Sequence, residues 1–309
     1  MRNGRDVWVR EVGTRDGLQS IDTIFSTEDK VRWIETESLA GVPEIEVGSF
    51  VPPKLMPQMA DTMEVVRRLG NKDKFKISVL VPNFKGALNA FQSGTHQLNY
   101  VLSVSEAHSL ANVKKSVNDA IEDYRKIIKF KKENAICESV KVGVGVATAF
   151  GCTIQGEVKP ADVFRTIETL VAIGADEIAV ADTVGYGNPA QIRHIFKEAV
   201  SICGDIPVAA HFHDTRGLGL ANVDAALDVG VRHFDSSLGG LGGCPHAPGA
   251  SGNIVTDDLV FMLEAMGLRT GVDLEKLLAV RVFMESCLKG EPTRGAIARA
   301  GTPKNFQQK

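Results

Sequence analysis

Eight short β-branched runs recur along this chain, each followed by an amphipathic segment of helical length, and that rhythm constrains the fold more than any single motif. The runs are VWVREVG (7–13), EIEVGSF (44–50), FKISVLVP (75–82), QLNYVLSVS (97–105), VKVGVGVATAF (140–150), EIAVADTVG (177–185), PVAAHFHDT (207–215) and HFDSSLGG (233–240). Helices are expected between them over 27–41, 58–70, 84–94, 112–134, 160–173, 189–202, 218–230 and 255–267. In the first, Val31, Ile34, Ser38 and Leu39 follow helical spacing, with Thr27 as N-cap and Gly41 as the stop. In the fifth, Val163, Ile167, Leu170 and Val171 face inward and Gly174 ends the helix. Strand–helix alternation calls for parallel strands with crossover helices. Eight such units in 309 residues point to a TIM (β/α)8 barrel, with an open doubly wound sheet as the alternative. The expected organisation is one catalytic domain over 1–290, closed by a further helix at 273–290, and a C-terminal tail over 291–309.

Composition narrows the partners. A formal net charge of -3 argues against general nucleic-acid binding, which wants a basic footprint. No apolar run approaches membrane-spanning length, and the N-terminus lacks a signal core. The five cysteines, Cys137, Cys152, Cys203, Cys244 and Cys287, form no CxxC pair, which suits a reducing compartment. A soluble cytoplasmic protein is expected.

A TIM barrel builds its active site at the C-terminal ends of its strands, and the polar residues of this chain fall there. Strand 1 ends in EVGTRDGLQ, presenting Arg15, Asp16 and Gln19. Strand 2 ends in EVGSF, with Glu46 and Ser49. Strand 6 ends in ADTVG, with Asp182 and Thr183, and strand 7 in AHFHDT. His211 and His213 stand at i and i+2, so both imidazoles enter the same side of the barrel mouth. Two histidines on one face make a ready pair of metal ligands. Asp16 could add a carboxylate and Asn253 an amide oxygen. Such a nitrogen-and-oxygen set suits Mg²⁺ or Mn²⁺, with Zn²⁺ also compatible by ligand type. Arg15 could stabilise developing negative charge or form a strand-end salt bridge. Cys244, in the glycine-rich stretch GGLGGCPHAPGASGN (239–253), could serve as nucleophile or proton donor, or be a neutral turn cysteine. His96, His233 and His246 read as structural or surface residues.

The segments RDGLQ, EVGSFV-PK-PQMAD, DT-G, HFHDT and GGLGGCP-A-GASGN together resemble the 3-hydroxy-3-methylglutaryl-CoA lyases, within the wider group of metal-dependent barrel lyases and condensing enzymes. The similarity runs from about Val7 to about Leu277. It implies a divalent cation held by Asp16, His211, His213 and Asn253. It also implies catalytic or supporting roles for Arg15, Glu46, Asp182, His211 and Cys244. Substrate contacts are expected from Gln19, Ser49 and Thr183. The implied reaction is retro-Claisen cleavage of an acyl-CoA, with Arg15 holding the enolate and Cys244 returning a proton to carbon. Gly239, Gly240, Gly242 and Gly243 would fold the loop over the site and bring Cys244 to the substrate; Gly249 and Gly252 would turn the chain back so that Asn253 reaches the metal. A homodimer is expected; the basic C-terminal tail could touch CoA phosphates or be disordered.

Two places depart from the family. After strand 5 this chain reads Thr153, Ile154 and Gln155 in place of Pro, Tyr and Glu. In the second loop, Pro52 and Leu55 stand where Ser and Trp are expected. Both lie near the barrel mouth, so citramalyl-CoA or a longer branched hydroxyglutaryl-CoA is an alternative substrate. A condensing synthase is a further alternative, set against by Cys244 and by the lack of a regulatory domain after the barrel.

Overall fold

The eight β runs pair side by side in chain order, and the eighth returns to the first, so the sheet closes into a barrel. This computed structural model describes residues 4–70, 74–242 and 252–308. The strands are β1 (Trp8–Glu11), β2 (Glu44–Ser49), β3 (Lys76–Val81), β4 (Gln97–Ser103), β5 (Lys141–Ala147), β6 (Glu177–Asp182), β7 (Val208–Phe212) and β8 (His233–Ser236). Around them run α1 (Thr27–Leu39), α2 (Thr62–Leu69), α3 (Phe84–Phe91), α4 (Glu106–Val113), α5 (Val117–Glu133), α6 (Pro160–Ile173), α7 (Pro189–Cys203), α8 (Gly219–Asp228) and α9 (Thr256–Ala265). Two further helices, α10 (Leu274–Cys287) and α11 (Ile297–Ala300), follow.

Which way each strand residue faces decides where the core lies. In-register neighbours in a parallel sheet share a face, and Arg10 is paired with Glu44 on one side and Asp235 on the other. Arg10 also reaches Glu177 on β6, which is not a neighbour of β1, so this set points into the lumen. The opposite face carries Ile45, Ile77, Leu98, Val142, Ile178, Ala210 and Phe234, all fully buried toward the helices. TIM-barrel lumens are usually filled with branched aliphatic side chains. Here the apolar core is the layer between strands and helices, and much of the lumen is polar.

Several local expectations need correction. The helix expected over 112–134 is α5, which begins only at Val117, and a separate helix, α4, precedes it. Lys114 takes a left-handed conformation (φ 57°), and Ser116 then caps α5 by accepting the amide of Asp119. The N-cap of α1 is Ser26, whose hydroxyl accepts the amide of Asp29, one residue before the expected Thr27. Leu39 is 63% exposed, because the inward face of α1 is Lys30, Trp33, Ile34 and Glu37. Lys30 is satisfied there by Asp61 and the carbonyl of Gln58. In α6, Val163, Ile167 and Leu170 are buried as expected, and Gly174 follows in the left-handed conformation.

Glu37 meets another buried carboxyl, Glu11, on the outer face of β1. Glu11 accepts from the amides of Gly13 and Leu238 and from the Thr256 hydroxyl. Burial pushes its carboxyl up to about 7. Burial, with Glu11 close by, also raises Glu37 well above the ordinary carboxylate value. The folded protein therefore holds protons that the unfolded chain releases near the ordinary value of 4.5. Stability from this pair is fully present below that value and is lost as pH rises through about 7. Glu37→Gln is expected to flatten this alkaline decline, as read from urea midpoints across the neutral range.

Beyond α10 the chain packs back on the barrel. Glu291 accepts the amides of Asp22 and Thr23, and Asp258 accepts those of Ala296 and Ile297. Arg294 donates to the carbonyl of Gly240 at 2.6 Å, beside the glycine-rich stretch.

Candidate active site

The sequence GTRDG after β1 winds into a five-residue π-helical turn (Gly13–Gly17) in which every residue is buried. Wide turns of this kind are rare and cluster at functional sites. It directs Arg15 and Asp16 into the barrel mouth. Arg15 donates through Nε to Glu46 at 2.5 Å and through Nη1 to Asp16 Oδ1 at 2.6 Å. Glu46 is held on its other oxygen by Asn99 of β4 at 2.9 Å. Burial opposes a charge on Arg15, but Glu46 and Asp16 outweigh it and raise its pKa above the ordinary guanidinium value.

Asp16 divides its two oxygens between two tasks. Oδ1 accepts from Arg15 and from Gln19 Nε2, the latter at 2.8 Å. Oδ2 faces the histidines, 3.8 Å from Nε2 of both His211 and His213. Burial would favour the neutral acid, but Arg15 and the two rings outweigh it, and Asp16 is held far below the usual carboxylate range. It is an anion with one face reserved.

The two imidazoles point at one place. Their Nε2 atoms are 3.2 Å apart, and ligand atoms of Asp16, His211 and His213 all lie within 4.8 Å of one another. His211 Nδ1 is 3.1 Å from Asp235 Oδ2 on β8. Asn253 is bridged to His213 through the backbone, and its Nδ2 donates to Asp16 Oδ2 at 2.7 Å. Asn253 Oδ1 is left buried without a partner, which is costly for an amide oxygen unless something else binds it. A half-turn of that amide would set Oδ1 against Asp16 Oδ2, an arrangement that needs a cation between them. These donors fit a divalent ion with a preference for oxygen and imidazole.

Backbone geometry at the edge of the glycine-rich stretch serves the same centre. Gly242 (φ 119°) and Gly252 (φ 85°) both adopt conformations that side chains avoid. A Cβ on Gly242 would lie 2.4 Å from Asn253 Nδ2, and one on Gly252 would lie 2.2 Å from the carbonyl of Gly242. The two ends thus meet directly over Asn253. Cys244, Gly243, His246 and Gly249 lie outside the described residues.

The remaining expected residues sit around this centre. Asp182 accepts the amides of Tyr186 and Gly187 on its two oxygens, which shapes the β6 loop. Burial raises its pKa, against those hydrogen bonds and the nearby His213. Thr183 accepts the amide of Thr148 at 2.8 Å and ties β5 to β6. Ser49 is buried at the end of β2, its amide donating to Thr62 and its hydroxyl accepting from Val51. Outside the mouth, His96 Nδ1 accepts the amide of Ile77, and His233 stacks on Trp8 at 5.0 Å. Burial and Arg10 push the His233 ring down to about 4.

The sequence reading missed Asp235, Asn99 and the Arg10 cluster. The signal was present as charged or amide residues at alternate positions of otherwise apolar runs, in VREV, EIEV, QLNY, EIAV and HFDS.

A closed (β/α)8 barrel with a buried arginine and an Asp–His–His cluster able to hold a metal ion at its mouth defines a class of TIM-barrel enzymes with a candidate metal centre. The HMGL-like family model matches residues 7–284, and the chain belongs to that family of lyases. A hydroxymethylglutaryl-CoA lyase of Bacillus subtilis is 38% identical over 288 residues, spanning 93% of this chain and 95% of the relative. An (R)-citramalyl-CoA lyase of Chloroflexus aurantiacus is 36% identical over 305 residues, covering 96% and 95%. An HMG-CoA lyase structure from Acinetobacter baumannii, in complex with coenzyme A and 3-methylmalate, superposes with a TM-score of 0.90 at 38% identity, covering 99% of each chain. The protein is an enzyme built on the TIM barrel of these lyases.

Proposed function

We propose that this chain is a divalent-cation-dependent lyase that cleaves 3-hydroxy-3-methylglutaryl-CoA to acetyl-CoA and acetoacetate. The observation that carries this reading is the convergence of Asp16, His211 and His213 beside the buried Arg15, in a chain of this family. A bound Mg²⁺ or Mn²⁺ would supply Lewis acidity toward the acyl and hydroxyl oxygens of the substrate, lowering the pKa of the hydroxyl. Asp16, His211, His213 and Asn253 are the residues that would hold it.

The protein's own groups then divide the work. A base removes the C3 hydroxyl proton, the C3–O bond becomes a carbonyl, and the C2–C3 electron pair passes into the thioester as an enolate. His211, or a water near it, is the candidate base. With Nδ1 against Asp235, its Nε2 is the reactive nitrogen, available to ligation or to the proton but not to both at once. Arg15, kept charged by Glu46 and Asp16, stabilises the enolate oxygen. Cys244 as thiol returns a proton to the enolate carbon. Gln19 and Glu46 set the positions of Asp16 and Arg15, and Asp182, Thr183 and Ser49 support the loops around the acyl group.

The test is acetyl-CoA release from 3-hydroxy-3-methylglutaryl-CoA with Mg²⁺ or Mn²⁺, repeated after chelation. Release that vanishes with chelation and returns with metal is the expected result; none from folded, metal-loaded protein would sink the reading. Cys244→Ala is expected to keep metal and CoA binding by calorimetry while losing most turnover. Unchanged turnover would remove the thiol from the reaction.

A second reading, citramalyl-CoA as substrate, is favoured by the changed residues Thr153, Ile154 and Gln155. Ile154 is half exposed, and Gln155 accepts from Ser105 near the β5 loop. Competition between the two thioesters ranks them. Among the described residues no helix is long and apolar enough to cross a membrane; the cytoplasm is our expectation for its location. A homodimer is our expectation for its assembly. Leu39 on α1 and Val282 on α10, two helices packed together, each expose an aliphatic side chain that pairing would cover. We take 1–290 as the catalytic domain, with 291–309 as its tail.

A further inference from the structure

We propose that Asp235 is a positioning residue that sets the tautomer of His211, and that Arg10 makes it do so. The inference rests on the metal-site reading above and concerns a residue outside that ligand set. Asp235 stands on β8 in register with His211 on β7 and with Arg10 on β1. Its Oδ2 lies 3.1 Å from His211 Nδ1, and its Oδ1 accepts from Arg10 Nη1 at 3.2 Å. Arg10 is itself fixed by Glu44 at 2.7 Å and by Glu177. Both the guanidinium and the Asp235 carboxylate are buried. A carboxylate oxygen can only accept, so the neutral His211 ring must carry its proton on Nδ1 and leave its lone pair on Nε2. That lone pair faces His213 Nε2 and Asp16 Oδ2. Partners of this kind orient ligating histidines and hold them in the binding tautomer.

Asp235→Asn changes the side-chain shape very little. Arg10 only donates, so it captures the amide oxygen and turns the amide NH₂ toward His211 Nδ1. Nδ1 then becomes the acceptor, the ring proton moves to Nε2, and the lone pair facing Asp16 and His213 is lost. The same substitution behind a catalytic histidine is known to disable it through the wrong tautomer with geometry intact.

The first measurement is ¹⁵N NMR of the wild-type metal-free enzyme at alkaline pH, with His211 assigned by comparison with His211→Gln. A protonated Nδ1 and bare Nε2 are expected; a proton on Nε2 overturns the proposal, whatever the variant does. The second is the same spectrum of Asp235→Asn together with Mn²⁺ affinity by electron paramagnetic resonance. The proton is expected on Nε2, with affinity weaker by roughly 10–100-fold. Restoring the Nδ1 acceptor is expected to restore the tautomer. In Arg10→Leu/Asp235→Asn the amide oxygen is free to face His211, so Nδ1 should recover its proton where the double variant folds. A folded Asp235→Asn with the wild-type spectrum and affinity would also refute the assignment. Wild-type enzyme that binds no Mn²⁺ but shows the Nδ1 proton would defeat the metal reading alone.

Discussion

Arg15→Leu is expected to cut kcat by roughly 10²–10³, the loss seen when one donor to a developing oxyanion is removed. KM should change far less, because the enolate charge exists only after the carbon–carbon bond begins to break. The substitution has a second consequence. Glu46 and Asp16 lie 2.5 and 2.6 Å from the guanidinium, and both are left buried without their cation. Stripping one partner from a buried ion pair costs about 3–5 kcal/mol. Lower stability by urea denaturation should therefore accompany the kinetic defect. Arg15→Lys would separate the two, since a single ammonium keeps the charge but cannot reproduce a two-point fork. A kcat within a few-fold of wild type in Arg15→Leu would remove the residue from the chemistry.

Arg10→Leu is expected to destabilise the protein strongly. Three buried carboxylates, Glu44, Glu177 and Asp235, converge on this guanidinium. Its removal is expected to cost at least the roughly 3–5 kcal/mol of one broken buried pair. The pH dependence gives the check. Burial alone would raise Glu44 and Asp235, yet Arg10 holds both below their ordinary values. Stability from these two is present above the unfolded carboxylate pKa and is lost as pH falls through the lowered folded values. Without Arg10 the same carboxyls are pushed up by burial, and the folded variant takes up protons that wild type does not. The gap between variant and wild type should narrow on acidification. A gap of constant size from neutral to acid pH would show that the cluster contributes packing rather than charge.

Glu11 and Glu37 mark the limit of what could be read without the structure. A glutamate inside VREVG looks like any other charged interruption of a strand. Its neighbour Glu37 looks like an exposed helix residue in TESLAG. Only when α1 lies across β1 do the two carboxyls meet in a buried layer. The helix break at Lys114 belongs to the same class. Nothing local in NVKKS announces the left-handed turn at Lys114 that ends α4 before Ser116 caps α5.

The sequence by itself determined the eight-unit alternation, the polar strand ends and the placing of His211 and His213 on one face, because each of these is local. Period-two and helical spacing are properties of neighbouring residues, and HFH places two rings on one face of whatever strand contains it. Closure, and everything that depends on it, was decided only by the tertiary structure. Asn253 and Asp16 are separated by 237 residues and meet at 2.7 Å; Arg10 and Glu177 are separated by 167 residues and meet inside the lumen. No spacing rule reaches that far. Contacts of this kind exist because hydrogen-bonded strands bring β8 back to β1, and ions that would be solvated on an open sheet edge are then enclosed with their partners.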